Sequence, residues 1–270
     1  MEFSAIQLVL AALIGGFAGL IGGMAGIGGS LIMLPGLGLI IGYTNDDQNE
    51  QHLYAAAAMV VNLIVSVTAT RQHLRKGAVQ RRIVQVLIPT LGLALVVGVL
   101  LSNRFQGRIL AIGLAVFIAA FALQSLVLAI RPIGSAEQDR PKASGANRIG
   151  VGLVGVVAGS AGGLLGLGGG AIMVPGLQVI ARAPLRTAIA ASAAAMCATS
   201  GVGAVLKIAT LGQHGLRWTD ALAIAAAMGL PAMLLAPQGA RLAHSLPIRW
   251  VRACIGLVLL VAAARLAGVI

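Results

Sequence analysis

The sequence predicts an all-α integral membrane protein made of two homologous halves, each with four apolar runs. Three observations carry that expectation. Of the 270 residues, 59% are hydrophobic and 10% charged, with a mean hydropathy of +0.97, a composition that leaves no polar surface for a water-soluble domain. The apolar runs repeatedly reach the roughly 18 residues needed to cross a bilayer. One glycine-rich phrase also occurs twice, first as Gly22-Gly23-Met24-Ala25-Gly26-Ile27-Gly28-Gly29-Ser30-Leu31-Ile32-Met33-Leu34-Pro35-Gly36-Leu37. About 140 positions later it returns as Gly162-Gly163-Leu164-Leu165-Gly166-Leu167-Gly168-Gly169-Gly170-Ala171-Ile172-Met173-Val174-Pro175-Gly176-Leu177.

Taken in order, the runs lie at roughly 5–42, 53–70, 83–101 and 109–130, and after a polar linker at 149–181, 188–206, 221–237 and 249–269. The start, Met1-Glu2-Phe3-Ser4, lacks a basic n-region, so the first run reads as a retained membrane segment. The linker, 131–148, carries Pro132, Glu137, Asp139, Pro141 and Lys142. It separates a first membrane repeat, 1–130, from a second, 149–270. Further matches support the duplication: Gly15, Ala18 and Gly19 with Gly155, Ala158 and Gly159, and Ala58-Met59 with Ala195-Met196, which sets Asn62 opposite Thr199.

The first run of each half is too long for one crossing. Nearly 40 residues of straight helix would span over about 50 Å, against a hydrocarbon core of about 30 Å. Each must break at its glycine cluster, either as a re-entrant hairpin or as a single crossing with an unwound centre. A hairpin would make the halves inverted repeats, with the basic loops around 71–82, 131–148, 182–187 and 238–252 on one side and Asp46, Asp47 and Glu50 opposite. A single crossing would make them parallel. The positive-inside rule favours inversion.

The formal net charge of +12 would suggest nucleic acid in a soluble protein. Here most Lys and Arg sit in short loops between runs, and aromatic residues, at 3%, are too few for a base-stacking platform. Cys197 and Cys254 lie within apolar runs without metal spacing and read as packing residues. No Walker loop, Ser-His-Asp set or HExxH motif is present, so the sequence predicts no enzyme, no cofactor and no metal. No Asp or Glu falls inside a run, which leaves no carboxylate proton relay. His52, His73, His214 and His244 read as scattered, solvated loop residues, Lys207 as a side chain snorkelling to the interface, and Gln124 as a helix-to-helix hydrogen bond.

The pattern Gly-Gly-x-x-Gly-x-Gly-Gly-[Ser/Gly]-x-Ile-Met-x-Pro, once per half, resembles the TauE/SafE family of membrane permeases. Leu74-Arg75-Lys76-Gly77 before the third run is similar to that family's loop, with a weaker echo at Leu211-Gly212-Gln213-His214-Gly215. The resemblance covers essentially the whole chain. It implies a multi-pass protein of the cell (inner) membrane that moves a small anion, sulfite or an organosulfonate being associated with the family.

The chemistry of the motif agrees. The first four N–H groups of a helix lack intrahelical partners, and the macrodipole adds roughly half a positive charge there. Glycine lets the backbone approach a ligand and adopt positive φ, and duplicated broken helices mark transporter binding sites. The candidate substrate residues are therefore Gly26, Gly28, Gly29 and Ser30, their counterparts Gly166, Gly168, Gly169 and Gly170, and, in the following runs, Asn62 and Thr199. Asn62 and Ser66, four apart, share a helix face. Gly15, Gly19, Gly23, Gly155, Gly159 and Gly163 recur every four residues and read instead as helix packing. The expected partners are a small anion and the lipid bilayer, with a homodimer compatible with the apolar surface and no nucleic acid. A passive anion channel and a non-transporting membrane assembly protein stay open as alternatives.

Overall fold

A computed structural model of the chain describes residues 3–130 and 147–242, together with 256–257 and 259–260. The linker at 131–146, His244, Cys254 and most of the eighth run lie outside the described residues. Those described form α-helices and one short 3-10 turn, without strands: α1 (Ala5–Ala25), α2 (Ser30–Ile40), α3 (Glu50–Arg75), α4 (Arg81–Ser102), α5 (Gly107–Ile130), α6 (Arg148–Leu165), α7 (Gly170–Val179), α8 (Leu185–Thr210) and α9 (Trp218–Leu242). Seven of these are long and apolar enough to cross a bilayer, and α2 and α7 are shorter. The chain is a multi-pass integral membrane protein.

The first run of each half is two helices, punctuated alike. Ser4 and Gln7 close a capping box at the start of α1, and Asn147 caps α6 by accepting from the Ile149 N–H. Both helices stop at a left-handed glycine, Gly26 (φ +66) and Gly166 (φ +78), a conformation that costs a side-chain-bearing residue far more. The chain then doubles back. Gly22 lies against Gly28 and Gly29, and Ile14 against Gly36. In the second half Gly162 meets Gly169, Val154 meets Gly176, and Gly150 meets Ile180. Each run is thus a helical hairpin with its tip at the glycine cluster, and Pro35 and Pro175 sit inside the returning helices.

Each hairpin packs on a helix from the other half. Gly15, Gly19 and Gly23 fit against Met228, Ala232 and Ala236 of α9, and Gly155, Gly159 and Gly163 against Thr90, Leu91 and Leu95 of α4. The rising numbers on both partners make α1 parallel to α9 and α6 parallel to α4. A Cβ at Gly19 would sit 2.6 Å from the Ala232 Cα, so small residues are what allow backbones to touch. Gly19→Leu is expected to destabilise the protein by about 3 kcal/mol or more through overpacking. Thermal unfolding in detergent checks this against Leu13→Val on the exposed face of α1, which is expected to be neutral.

Helices α3 and α8 form the centre and run antiparallel. His52 meets Lys207, Met59 meets Gly203, Leu63 meets Gly201, and Ala69 clusters with Ala193. Runs of buried alanine, Ala55–Ala58 on α3 and Ala188, Ala190, Ala191 and Ala193 on α8, keep these helices slim enough to admit both hairpin tips. The connections at 41–49, 103–106 and 211–217 gather at one end of the bundle. The other end holds Arg75, Lys76, Arg81, Arg82, Arg148, Arg182, Arg186 and Arg241.

Four sequence readings are corrected here. His52 and His73 are buried within α3 rather than solvated, and Lys207, 1% exposed, is enclosed by α3 and α4 rather than snorkelling. Gln124 is exposed on α5, and Glu50 is the buried first residue of α3, not a loop residue.

Glu50 and Gln51 hold the connection before α3: Glu50 accepts from Thr44, and the Tyr43 hydroxyl donates to Gln51 Oε1 at 2.9 Å. Burial, and behind it the Glu50 carboxylate, pushes the Tyr43 phenol up to about 12. An unfolded tyrosine ionises near pH 10, so between pH 10 and about 12 the unfolded chain binds fewer protons and stability falls. The unfolding midpoint of Tyr43→Phe is expected to fall less across that window than that of the unsubstituted protein.

Candidate functional site

The two hairpin tips meet at the middle of α3 and α8. Asn62, midway along 26-residue α3, lies between them and is fully buried. Its Oδ1 accepts from the Gly29 N–H at 2.9 Å and its Nδ2 donates to the Leu167 carbonyl at 3.4 Å. One side chain therefore joins both tips. A second link runs directly between them, from the Ser30 hydroxyl to the Leu167 carbonyl at 2.9 Å. Its counterpart across the duplication pairs Gly170 with Ile27, where a Cβ on Gly170 would stand 2.5 Å from the Ile27 carbonyl oxygen.

Glycine is required here for two separable reasons. Gly26, Gly28, Gly166, Gly168 and Gly169 all have positive φ, which favours glycine. Space is also short. A Cβ on Gly28 would lie 2.5 Å from Met196 Cε and 2.9 Å from Asn62 Oδ1, and one on Gly168 would lie 3.2 Å from Ser200 Oγ and 3.3 Å from Asn62 Nδ2. Gly26 rests on Ile189 of α8 and Gly166 on Ala55 of α3. Ser192 secures the first tip by donating to the Gly26 carbonyl at 2.7 Å.

The short helices α2 and α7 begin at this junction, with Ser30 and Gly170 as their first residues. The opening N–H groups of each have no carbonyl one turn earlier in their own helix, and two positive helix ends face one region. Ser200 Oγ, buried and without a hydrogen-bond partner among the described residues, lies beside the second tip. Helix N–H groups and partial positive charge thus meet at a junction that no carboxylate reaches among the described residues.

Nine of the ten candidate residues are gathered at this junction. Thr199 is the exception: its hydroxyl turns back to the Ala195 carbonyl at 3.0 Å, and its methyl faces Gly92 of α4. The next residue, Ser200, takes the place facing the tip, because one step along a helix rotates the side chain by about 100°. Met196 was legible only as part of the duplication with Met59. Its Cε lies against both tip glycines, Gly28 and Gly168, and Met196 and Asn62 together close the junction in this conformation.

The family model described as Sulfite exporter TauE/SafE matches residues 11–266, nearly the whole chain. No curated protein and no solved structure matches it. A duplicated glycine tip in each half, the membrane-capable helices around them and this match over both halves agree: the chain belongs to the TauE/SafE sulfite exporter family, a family of membrane transporters.

Proposed function

We propose that the chain is a secondary permease for a small anion, sulfite or an organosulfonate, and that the anion binds where the two glycine tips converge on Asn62. The observation that carries this reading is the meeting of two short-helix N-termini in the middle of α3 and α8. A sulfite or sulfonate group offers three oxygens as acceptors for their N–H groups. The binding residues are Gly26, Gly28, Gly29, Ser30, Gly166, Gly168, Gly169 and Gly170, with Asn62, and Ser200 in place of Thr199.

The hairpins enter from opposite ends of the bundle, α1 running parallel to α9 and α6 parallel to α4, and this supports inverted repeats. Transport then follows from rocking one hairpin against the other while Asn62 exchanges its bridge for bonds to the anion. The arginine-rich end faces the cytoplasm, the protein lying in the cell membrane.

A flux assay in proteoliposomes tests the reading, with sulfite, sulfate, thiosulfate, a sulfonate and a carboxylate offered in parallel. Saturable uptake of sulfite or the sulfonate in preference to the carboxylate is the expected result. Absence of flux for every anion from folded protein overturns it.

A further inference from the structure

Ten residues along α3 from Asn62, and seven along α8 from Ser200, a second polar cluster is sealed inside the bundle. Lys207 Nζ donates to Ser102 Oγ at 2.6 Å and contacts His52 Nδ1 at 3.3 Å. His52 Nε2 stands 3.2 Å from the Phe105 carbonyl, and Ser102 donates onward to the Val99 carbonyl at 2.6 Å. One proton arrangement satisfies every contact: Nε2–H of a neutral His52 donates to Phe105, so Nδ1 accepts from Lys207. The His214 ring stacks on His52, with centroids 3.7 Å apart and planes at 12°, and is itself partly open to the bundle end.

The charge inventory around Lys207 is one-sided. From α3 comes His52, from α4 Ser102, from the α4–α5 connection the Phe105 carbonyl, and from the turn after α8 His214. Glu50, the nearest acid along α3, has one carboxylate oxygen engaged by Thr44 and the other buried without a hydrogen-bond partner among the described residues, while Arg104, Arg108 and Arg217 are exposed. Three basic groups in a row, in contact with one another and with hydroxyl and carbonyl groups, cannot all carry charge. Desolvation and mutual repulsion oppose more than one positive charge there, so the cluster holds its protons as a coupled set.

We infer that the Lys207–His52 pair is the proton-binding site of this protein, taking up one proton as an anion binds at the glycine tips and giving it up when the anion leaves. This rests on the permease reading above. The proton departs from the Lys207 ammonium to leave a neutral amine, and water at the His214 end of the bundle receives it.

Geometry supplies the coupling. Lys207 lies about 10 Å along α8 from Ser200 at 1.5 Å per residue, on one seam with Gly203, which packs on Met59, and His52 lies one turn from Ala55, which supports Gly166. Opposite unit charges about 12 Å apart at an effective dielectric of about 20 stabilise each other roughly tenfold. Linkage makes that reciprocal: the protonated cluster raises anion affinity by the same factor.

The test uses the full chain in proteoliposomes with an internal pH dye and a sulfonate, which carries no proton of its own near neutral pH. An imposed sulfonate gradient is expected to move protons in the same direction in the unsubstituted protein, and anion affinity is expected to change about tenfold with pH. Lys207→Met is expected to move sulfonate without protons and with a flat pH profile. If sulfite alone is transported, its own proton contributes equally to both proteins, and their difference is the readout. Sulfonate flux without proton movement, or Lys207→Met retaining the proton-to-anion ratio, overturns the inference.

An apolar residue in place of a buried cation is commonly tolerated, and thermal unfolding verifies that Lys207→Met is folded. Should the unsubstituted protein move no anion, the permease reading fails, and the proton site is judged separately by carbon-13 resonances of labelled histidine in detergent. A His52 titration midpoint displaced by about one pH unit or more in Lys207→Met supports the coupled site. An unmoved midpoint overturns it.

Discussion

Gly28→Val is expected to reduce anion flux at least about a hundredfold and to cost about 3 kcal/mol or more of stability. Part of the stability cost is the left-handed conformation at φ +74, which disfavours any residue with a Cβ, and the rest is overpacking at the junction. The larger effect is local. The added carbon arrives 2.5 Å from Met196 Cε and 2.9 Å from Asn62 Oδ1, inside the junction proposed to hold the anion. A methionine tip can swing away, but Asn62 is held by both hairpins and cannot move without releasing one of them. Gly42→Ala separates the two causes: its φ is +79, yet nothing lies within 4 Å of a new Cβ. Destabilisation of only about 1–2 kcal/mol, with intact flux, is expected there. Equal loss of flux in both variants would mean that backbone strain alone, and not the junction, limits transport.

Asn62→Asp is the second large effect, and it works through charge. The carboxylate keeps an acceptor for the Gly29 N–H but loses the donor to the Leu167 carbonyl. It also places a fixed anion before two positive helix ends, which compensates them from within. Flux is expected to fall at least about a hundredfold, with the protein still folded. Asn62→Ala should behave differently, leaving the buried Gly29 N–H unpaired at a cost of about 1–3 kcal/mol and reducing flux less steeply. Flux assays with parallel thermal unfolding distinguish them. Normal anion transport by Asn62→Asp would place the binding site away from the tips.

Much of the molecule was legible as chain. Apolar run length implied the membrane-spanning helices, and the density of glycine around Gly28 and Gly168 marked where α1 gives way to α2 and α6 to α7. The four-residue spacing of Gly15, Gly19 and Gly23 announced a backbone-to-backbone contact. It did not name α9 as the partner. Asn62 was identified as a polar group in an apolar run, but its bridging of two tips belongs to no segment taken alone. Thr199 and Ser200 show the same limit at finer scale, since adjacent polar residues differ only in the rotation of α8 about its axis.

His52 and Lys207 show most clearly what remains hidden. In the chain each stands near the end of an apolar run, where a polar side chain normally reaches water. Whether it does depends on what surrounds that run end, and here α3, α4 and the turn after α8 converge to close it off. Composition, run length and glycine spacing by themselves determined that the protein is helical and membrane-embedded, because these follow from solvation of the backbone and the steric freedom of single residues. Only the tertiary structure decided which polar groups share a buried environment, because burial and charge pairing depend on neighbours that are distant in the chain.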